Sequence, residues 1–343
     1  MSPEIQGRNF TSDDVVRALR RCWQPVARIK DLAGPQRAVL LGEPLVVFMT
    51  ESGQVAVLAD RCVHRGAPLS MGQVCGEAVQ CPYHGWEWAS NGRCVRIPSL
   101  EDQKQIPPRA EIPAYPVRQQ WGLVWTALEH PIVEPPKLPW FEEHDWTTAD
   151  GPPFELPVAM GLWIENFRDV AHFAFVHREM LGDVPEKVEP LEVERHGFEV
   201  EMQRVTLNAP GGDESWDSLR EIGYHAIAPN LISAQLFFDD GSRRCMVHVA
   251  RATSATESFH YWIVGKSSDY NRFGIDDILA AEKRLYDEDR EIVSAITPPE
   301  LELHGRHEVS TLADSFTLAY RQTFIDFLEF ALEGNAQMPA KVS

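Results

Sequence analysis

The sequence contains no run of about eighteen apolar residues, so no transmembrane helix is expected. Basic residues are also scarce: 32 Lys and Arg face 51 Asp and Glu, and the formal net charge of −19 argues against nucleic acid or anionic membrane surfaces as partners. The first residues lack a basic segment followed by an apolar one, so we expect no signal peptide and a cytoplasmic location. Cysteine is rare, with six residues in 343, which favours metal binding over a disulfide framework.

Turn residues and prolines divide the chain into regions. Short β-rich runs are separated by turn residues such as Asn91-Gly92 and predict a small all-β domain. A segment with four prolines in ten residues predicts a stiff connector, and helical and strand patterns alternate beyond it. The expected regions are an N-terminal helix and lead-in strand that pack on the C-terminal domain (1–36), the all-β domain (37–130), the connector (131–140), a C-terminal domain of mixed helices and strands (141–335) and a tail (336–343).

Two loops of the all-β region each offer one cysteine and one histidine: Cys62 with His64, and Cys81 with His84. A [2Fe–2S] cluster whose irons carry two cysteines and two histidines uses this ligand set. A tetrahedral zinc site is the alternative, but zinc fingers pair cysteine with cysteine and histidine with histidine. Because both loops here are mixed, the spacing favours an iron-sulfur cluster that passes one electron at a time.

The loops C-V-H-R-G-A-P-L and C-P-Y-H-G-W, with the flanking SMG, NGRC and GLVW, resemble those of Rieske-type mononuclear non-haem iron oxygenase α-subunits. The resemblance implies an α+β protein with an N-terminal Rieske domain and a C-terminal helix-grip domain, an antiparallel sheet around a long helix. It implies a mononuclear Fe(II) besides the [2Fe–2S] cluster, and O₂ as co-substrate. A flavin/iron-sulfur reductase or a ferredoxin would deliver electrons from NAD(P)H.

A second constellation, Asn166, Asp169, His172 and His177, lies in the helix-like segment 165–177. Three-residue spacing places the first three on one helix face. His177 lies about 140° from His172 on an ideal helix, so both can bind one iron only if the helix ends or bulges between them. The blandest interpretation is a helix with two stray histidines. The pattern N-x₂-D-x₂-H-x₄-H is, however, similar to the catalytic iron motif of the same family, a facial triad of two histidines and one carboxylate.

The family resemblance places the carboxylate on a later helix, which the sequence predicts at 276–296. Ile278, Leu285, Ile292 and Ile296 form an apolar stripe there, and Asp289 falls on it, where an unpaired carboxylate is costly. Its charged neighbours, including Glu288, are expected to point elsewhere. Asp289 is therefore the expected third ligand, and Glu282, near the same face, is the rival.

The resemblance gives Asp169 a bridging role, accepting hydrogen bonds from His172 and from His84 of a neighbouring subunit. This implies a head-to-tail ring, most often a homotrimer. Asn166 is expected near the iron, although a structural hydrogen bond is an equal alternative. For the substrate pocket, Leu231, Phe237 and His248 lie on expected strands that could face it, but alternation leaves the side of His248 open.

Together these features predict an enzyme that uses O₂ to oxidise a small, aromatic or heterocyclic molecule. The chain is short for the family and resembles its homo-oligomeric members, which favours monooxygenation, by hydroxylation or by oxidative O- or N-demethylation. Ring cis-dihydroxylation is the alternative. A different class is a ligand-binding helix-grip protein with a Rieske electron carrier, which the presence of His172, His177 and Asp289 disfavours.

Overall fold

The computed structural model describes residues 5–142, 145–189, 191–206, 212–216, 218–305 and 307–333. It divides into two compact units, one formed by residues 16–135 and the other by the segments before and after it. The division falls between Pro135 and Pro136, inside the proline-rich segment. The expected tail, 336–343, lies outside the described residues.

The unit of residues 16–135 consists of three antiparallel sheets. One has the strand order β1-β11-β10, the second β2-β3-β4-β9 and the third β5-β6-β7-β8. Helix α1 spans Ser12–Leu19, and the strands are β1 Gln24–Arg28, β2 Gln36–Leu40, β3 Glu43–Met49, β4 Val55–Ala59, β5 Gln73–Cys75, β6 Ala78–Gln80, β7 Glu87–Ala89, β8 Cys94–Arg96, β9 Ala114–Tyr115, β10 Val117–Gln120 and β11 Leu123–Thr126.

Strand β1 pairs with β11, so it belongs with the all-β unit, whereas the sequence boundary at residue 37 separates them. The pairing joins Gln24 with Thr126 and Arg28 with Leu123. Because the two strands are far apart in the chain, no local pattern of residues reveals their pairing. The core beneath the two cysteine-histidine loops contains Val46, Phe48 and Trp88, all fully buried.

The other unit is built on one eight-stranded antiparallel sheet of order β12-β19-β18-β17-β16-β15-β14, with β13 also paired to β19. Its strands are β12 Trp146–Asp150, β13 Phe154–Leu156, β14 Val193–His196, β15 Glu199–Thr206, β16 Leu219–Ile227, β17 Leu231–Phe238, β18 Arg243–Ala252 and β19 Ser258–Ser267. Its helices are α2 Pro139–Glu142, α3 Met160–Arg168, α4 Phe173–Val176, α5 Arg178–Leu181, α6 Ile275–Val293 and α7 Ser315–Glu333.

Helix α6 packs against α3, β12 and β19, and helix α7 packs against α3, β14 and β15. None of the helices in the described segments is both long and apolar enough to span a bilayer. Strand β18 is buried along almost its entire length rather than at alternate residues. A strand covered on both faces carries no alternating pattern, which is why its inward side could not be predicted.

The apolar stripe predicted on α6 is correct at its start and wrong at its end. Ile278 and Leu285 are 1% and 6% exposed, whereas Ile292 and Ile296 are 50% and 37% exposed. Val293 is buried in their place, because the buried face continues from Asp289 by one four-residue step and α6 then ends.

Candidate metal centres and active site

The two loops that carry Cys62 and Cys81 close in the same way. In each, the cysteine amide donates to the carbonyl oxygen five residues later, at 2.9 Å for Cys62 and 2.8 Å for Cys81. The amide of a glycine four residues after the cysteine donates back to the cysteine carbonyl, at 2.8 Å for Gly66 and 3.1 Å for Gly85. Both glycines have positive φ, +78° and +69°, a conformation that a side chain disfavours.

This backbone buries the thiols and leaves the imidazoles nearer to solvent. Cys62 and Cys81 are 1% and 2% exposed, whereas His84 is exposed and His64 half-buried. The two imidazole rings lie 4.5 Å apart between centroids, and His64 stacks on Trp86 at 4.7 Å. The tertiary structure therefore brings together the four residues that the sequence singles out.

These residues fit a [2Fe–2S] cluster. The Nδ1 atom of His64 is buried and has no hydrogen-bond partner among the described residues, as expected for an atom positioned to bind a metal. Burial, reinforced by the adjacent Cys81 thiol, raises the pKa of Cys62 to about 11. Because metals bind thiolate, a positively charged iron centre would supply the charge that ionises this thiol.

The second centre depends on a break in the helix that carries the histidines. Helix α3 ends at Arg168, a 3₁₀ turn covers Val170–His172, and α4 ends at Val176. Asp169 lies at the break with extended backbone angles, and its Oδ1 accepts a hydrogen bond of 2.9 Å from the Ala171 amide. A continuous helix would have separated the histidines, whereas here their Nε2 atoms lie 3.2 Å apart.

Asp289 of α6 completes this cluster. Its Oδ1 lies 3.1 Å from Nε2 of His177 and 3.5 Å from Nε2 of His172. The three ligand atoms all lie within 4.8 Å of one another. Asn166 also reaches the site, since its Nδ2 donates to the same Asp289 oxygen at 3.4 Å.

This arrangement fits a mononuclear iron. Two imidazole nitrogens and one carboxylate oxygen converge from one side, which is the donor set of the facial triad that leaves other positions open. The rival ligand, Glu282, is not in the cluster and instead forms a buried ion pair with Arg244 of β18. Asp289 is itself 4% exposed, a position where a carboxylate needs a cation or hydrogen-bond donors.

Glu288 was expected to point away from the site, and this expectation is wrong. Its Oε2 lies 2.7 Å from Nδ1 of His177, on the far side of the ring from Asp289. Burial lowers the pKa of His177, but the contacts with Asp289 and Glu288 outweigh it, and the pKa lies above its ordinary value. The expectation considered only the direction of each Cβ atom around the helix axis. The half-buried Glu288 side chain lies at the edge of the apolar stripe and is long enough to reach inward.

Asp169 lies beside the cluster and not in it. Its Oδ2 is 3.5 Å from Nδ1 of His172, and its side chain is 35% exposed. Burial raises the pKa of Asp169, but His172, the Ala171 amide and Arg168 together outweigh burial and lower it. An ionised, partly accessible carboxylate therefore stands between His172 and the surface.

A cavity with aromatic and aliphatic walls adjoins the triad. It is lined by Phe167, Phe173, Trp216, Tyr224 and Tyr286, with further apolar residues and Glu282. The three residues expected to line a pocket lie elsewhere. His248 is behind the wall, 4.4 Å from the Phe167 ring and 4.6 Å from Tyr286 between centroids, Leu231 is fully buried, and Phe237 lines a separate groove with Trp140.

The wall itself comes largely from residues that the sequence did not single out. Strand β16 supplies two of these residues, Ile222 and Tyr224. Ile222, Tyr224 and Ala226 alternate with Gly223 and His225 in the sequence, and this period of two is the signal that could have found the strand.

Comparison with known proteins places these sites in a family. Residues 22–116 match the Rieske [2Fe-2S] domain, and residues 157–325 match the vanillate O-demethylase oxygenase C-terminal domain. Methylxanthine N3-demethylase NdmB of Pseudomonas putida is 31% identical over 341 residues, which cover 92% of this chain and 91% of that protein.

Two solved structures share the fold. NdmA of Pseudomonas putida CBB5 with caffeine superposes with a TM-score of 0.81 at 22% identity, covering 92% of this chain and 96% of that one. Dicamba monooxygenase bound to dicamba gives 0.74 at 21% identity, covering 91% and 98%. The expected α+β fold with an all-β Rieske domain is confirmed. The similarity to a demethylase along nearly the entire chain, with both domain matches in order, shows that the chain belongs to the Rieske non-haem iron oxygenases, enzymes that carry a [2Fe–2S] cluster and a mononuclear iron.

Proposed function

We propose that this oxygenase removes a methyl group from nitrogen or oxygen of a small heteroaromatic molecule by hydroxylating the methyl carbon. The observation that carries the proposal is the aromatic cavity beside His172, His177 and Asp289, which offers flat walls to a flat ring. A relative that is 31% identical over 92% of this chain is a methylxanthine N3-demethylase, which favours an N-methyl group.

The reaction consumes O₂, two electrons and two protons. One oxygen atom enters the C–H bond of the methyl group and the other leaves as water. The resulting hydroxymethyl compound then breaks its bond to nitrogen or oxygen, releasing formaldehyde and leaving N–H or O–H. When bound, the iron supplies the O₂ activation that no side chain can provide.

His172, His177 and Asp289 are the proposed iron ligands. Glu288 holds the His177 ring through Nδ1, which fixes its orientation and makes it a stronger donor. Asn166 steadies the Asp289 carboxylate through a hydrogen bond. The aromatic wall positions the substrate and keeps bulk water from the reacting carbon.

Cys62, His64, Cys81 and His84 are the proposed cluster ligands. Electrons come from NAD(P)H through a flavin/iron-sulfur reductase or a ferredoxin. Arg61 and Arg65 are exposed on the first cluster loop, and these local positive charges suit an acidic electron donor although the chain as a whole is acidic.

Asp169 is the proposed bridge for electrons between subunits. The exposed His84 of one copy and the partly exposed Asp169 of the next copy are the two surfaces that would meet. Phe175, next to this region, is 67% exposed, which suits a subunit contact. We propose a head-to-tail homotrimer, in which each cluster serves the iron of its neighbour.

The test has two steps. Metal and sulfide analysis should find about three irons and about two acid-labile sulfides per chain, with a Rieske EPR signal after dithionite. The loaded protein, given a reductase, NADH and a panel of N- and O-methylated heteroaromatics, should release formaldehyde in proportion to NADH consumed. Turnover that yields a cis-diol and no formaldehyde would assign the ring-dihydroxylating reaction instead. Zinc without labile sulfide would refute the [2Fe–2S] assignment and the electron path built on it.

A further inference from the structure

The cavity beside the triad contains one charged side chain that the proposed reaction does not use. Among the lining residues that the structure describes, Glu282 is that group, and it is fully buried within aromatic and apolar walls. The phenols of Tyr224 and Tyr286 share the cavity, and burial raises the pKa of both, so they remain neutral. A buried carboxylate in such surroundings is costly unless it has partners.

Glu282 has one partner for two oxygens. Its Oε1 accepts a hydrogen bond from Nη2 of Arg244, whose side chain is 1% exposed. Its Oε2 is buried and has no hydrogen-bond partner among the described residues. Burial raises the pKa of Glu282, while the adjacent Arg244 guanidinium favours the carboxylate form.

The guanidinium of Arg244 is already occupied by contacts within the protein and does not offer its charge to an anionic ligand. Besides Glu282, its guanidinium lies over the rings of Trp216 at 5.0 Å, Phe238 at 5.9 Å and Tyr270 at 6.0 Å. Its positive charge is therefore neutralised within the pair and covered by aromatic faces. Oε2 of Glu282 is therefore a buried hydrogen-bond acceptor that this ion pair leaves unpartnered.

The spacing along α6 sets the distance between this oxygen and the reacting end of the cavity. Glu282 precedes Asp289 by seven residues, which is two helical turns, or about 10 Å along the axis. Tyr286 lies between them and lines the cavity. Glu282 and Asp289 therefore lie at opposite ends of the stretch of α6 that lines the cavity, and a ligand group bound at Glu282 would lie two helical turns from the triad.

We propose that Glu282 selects the substrate: its Oε2 accepts a hydrogen bond from an N–H or O–H group of an uncharged, flat heteroaromatic ring, and the pocket rejects aromatic carboxylates. This inference rests on the proposed function and names the substrate class of the same site. A ring N–H satisfies the acceptor that the protein leaves unpaired. A carboxylate in the same place meets a like charge and finds Arg244 already paired.

The test is a binding measurement, made anaerobically without reductant so that no turnover occurs. Isothermal titration compares theobromine, which has a ring N–H, with caffeine, in which that N–H is N–CH₃, and with the anion dicamba. We expect theobromine to bind about 10- to 150-fold more tightly than caffeine, the ratio that one hydrogen bond to a charged group supplies. Dicamba should bind more weakly than theobromine.

Two variants separate recognition from folding. The paired replacement of Arg244→Met with Glu282→Met removes both charges at similar volume, a change that buried ion pairs often tolerate, and it should erase the preference for theobromine. Glu282→Gln keeps an acceptor but removes the negative charge that neutralises Arg244, and should tighten dicamba binding. Thermal melts check that each variant is folded.

Several outcomes would overturn the inference: equal affinity for theobromine and caffeine, no binding of theobromine, tighter binding of dicamba by the unaltered protein, or a preference that survives the paired replacement.

Formaldehyde release is measured separately. Formaldehyde without the binding preference would reject the role of Glu282 and retain demethylation. The binding preference without formaldehyde from any methylated ligand that binds would reject demethylation and retain the role of Glu282 in recognition.

Discussion

The two metal regions of this protein are assembled in opposite ways. The loops of Cys62 and Cys81 are each shaped by hydrogen bonds within six residues, and both belong to one small all-β unit. The triad combines a broken helix with an aspartate from α6, which lies far along the chain. A site made of local turns can be recognised from spacing, whereas a site made by packing needs the fold.

The two regions also differ in how they face solvent. His84 of the cluster loops is exposed, while His177 and Asp289 are 3% and 4% exposed. An electron carrier must present one edge to its partners, but a centre that oxidises C–H bonds must be shielded from water. Because the two regions are assembled separately, we expect a substitution in one region to leave the metal of the other region bound.

The largest expected effect tests that independence. Asp289→Ala should reduce turnover to background and lower the iron content by about one atom per chain, because two histidines alone hold Fe(II) weakly. Labile sulfide and the Rieske EPR signal should be unchanged. Asp287→Ala, which alters an exposed carboxylate on the same helix, is the matched control and should retain full iron. Loss of sulfide in Asp289→Ala would mean that the two centres depend on each other.

A smaller effect is expected at Asp169, which we place between the centres of neighbouring copies. Asp169→Asn keeps an oxygen for the Ala171 amide, so the helix break should persist. It removes the charge near His172, and kcat should fall about 10- to 100-fold with iron and sulfide unchanged. Glu179→Gln, a nearby exposed change, is the control. Unaltered kcat in Asp169→Asn would remove this residue from the electron path.

Glu288 tests how strongly the catalytic iron depends on its outer contacts. Glu288→Gln should weaken Fe(II) binding about 10- to 100-fold, because a neutral amide orients and polarises the His177 ring less well than a carboxylate. Chelator competition measures the affinity, and excess Fe(II) should restore turnover. Glu291→Gln, exposed on the same helix, should behave as the unaltered protein. Equal affinities in the two variants would contradict the proposed role.

The smallest expected effect is on the pH dependence of folding stability, through a buried histidine near the catalytic centre. Burial lowers the pKa of His260 to about 3, with Arg290 and Arg251 adding to the shift. Because the unfolded chain takes up this proton near pH 6.5, the stability present above that pH is lost as the pH falls toward 3. The slope from this residue is at most about 1.4 kcal/mol per pH unit.

Denaturant unfolding between pH 7 and pH 4 measures this slope. His260→Gln removes the titrating group and keeps a side-chain N–H donor for Oγ of Ser258, which lies 2.8 Å from Nε2 of His260 and donates its own proton to the Val158 carbonyl oxygen. The variant should show a shallower dependence on pH. His307→Gln is the control, since that side chain is 78% exposed. The same slope in His260→Gln and the unaltered protein would assign the acid sensitivity to other groups.

The pattern of residues predicted some parts of the catalytic site and missed others for identifiable reasons. Asp289 stood out because a charged residue interrupted an apolar stripe, and the structure buries it beside both histidines. Glu288 was placed outside because a helical wheel assigns directions to Cβ atoms and not to the ends of long side chains. His248 could not be placed because β18 is covered on both faces.

The pattern of residues was sufficient for the family and the cluster loops, because spacing and local turns encode them, and a motif together with an interrupted apolar stripe indicated the three residues that converge at the second centre. The tertiary structure was needed to show which side chains form the cavity, that Glu288 contacts His177, and that Glu282 pairs with Arg244. These contacts join α6 to β18 and to the broken helix, elements far apart in the chain. Which of these side chains meet depends on how α6 packs on the sheet, and no local pattern of residues specifies that packing.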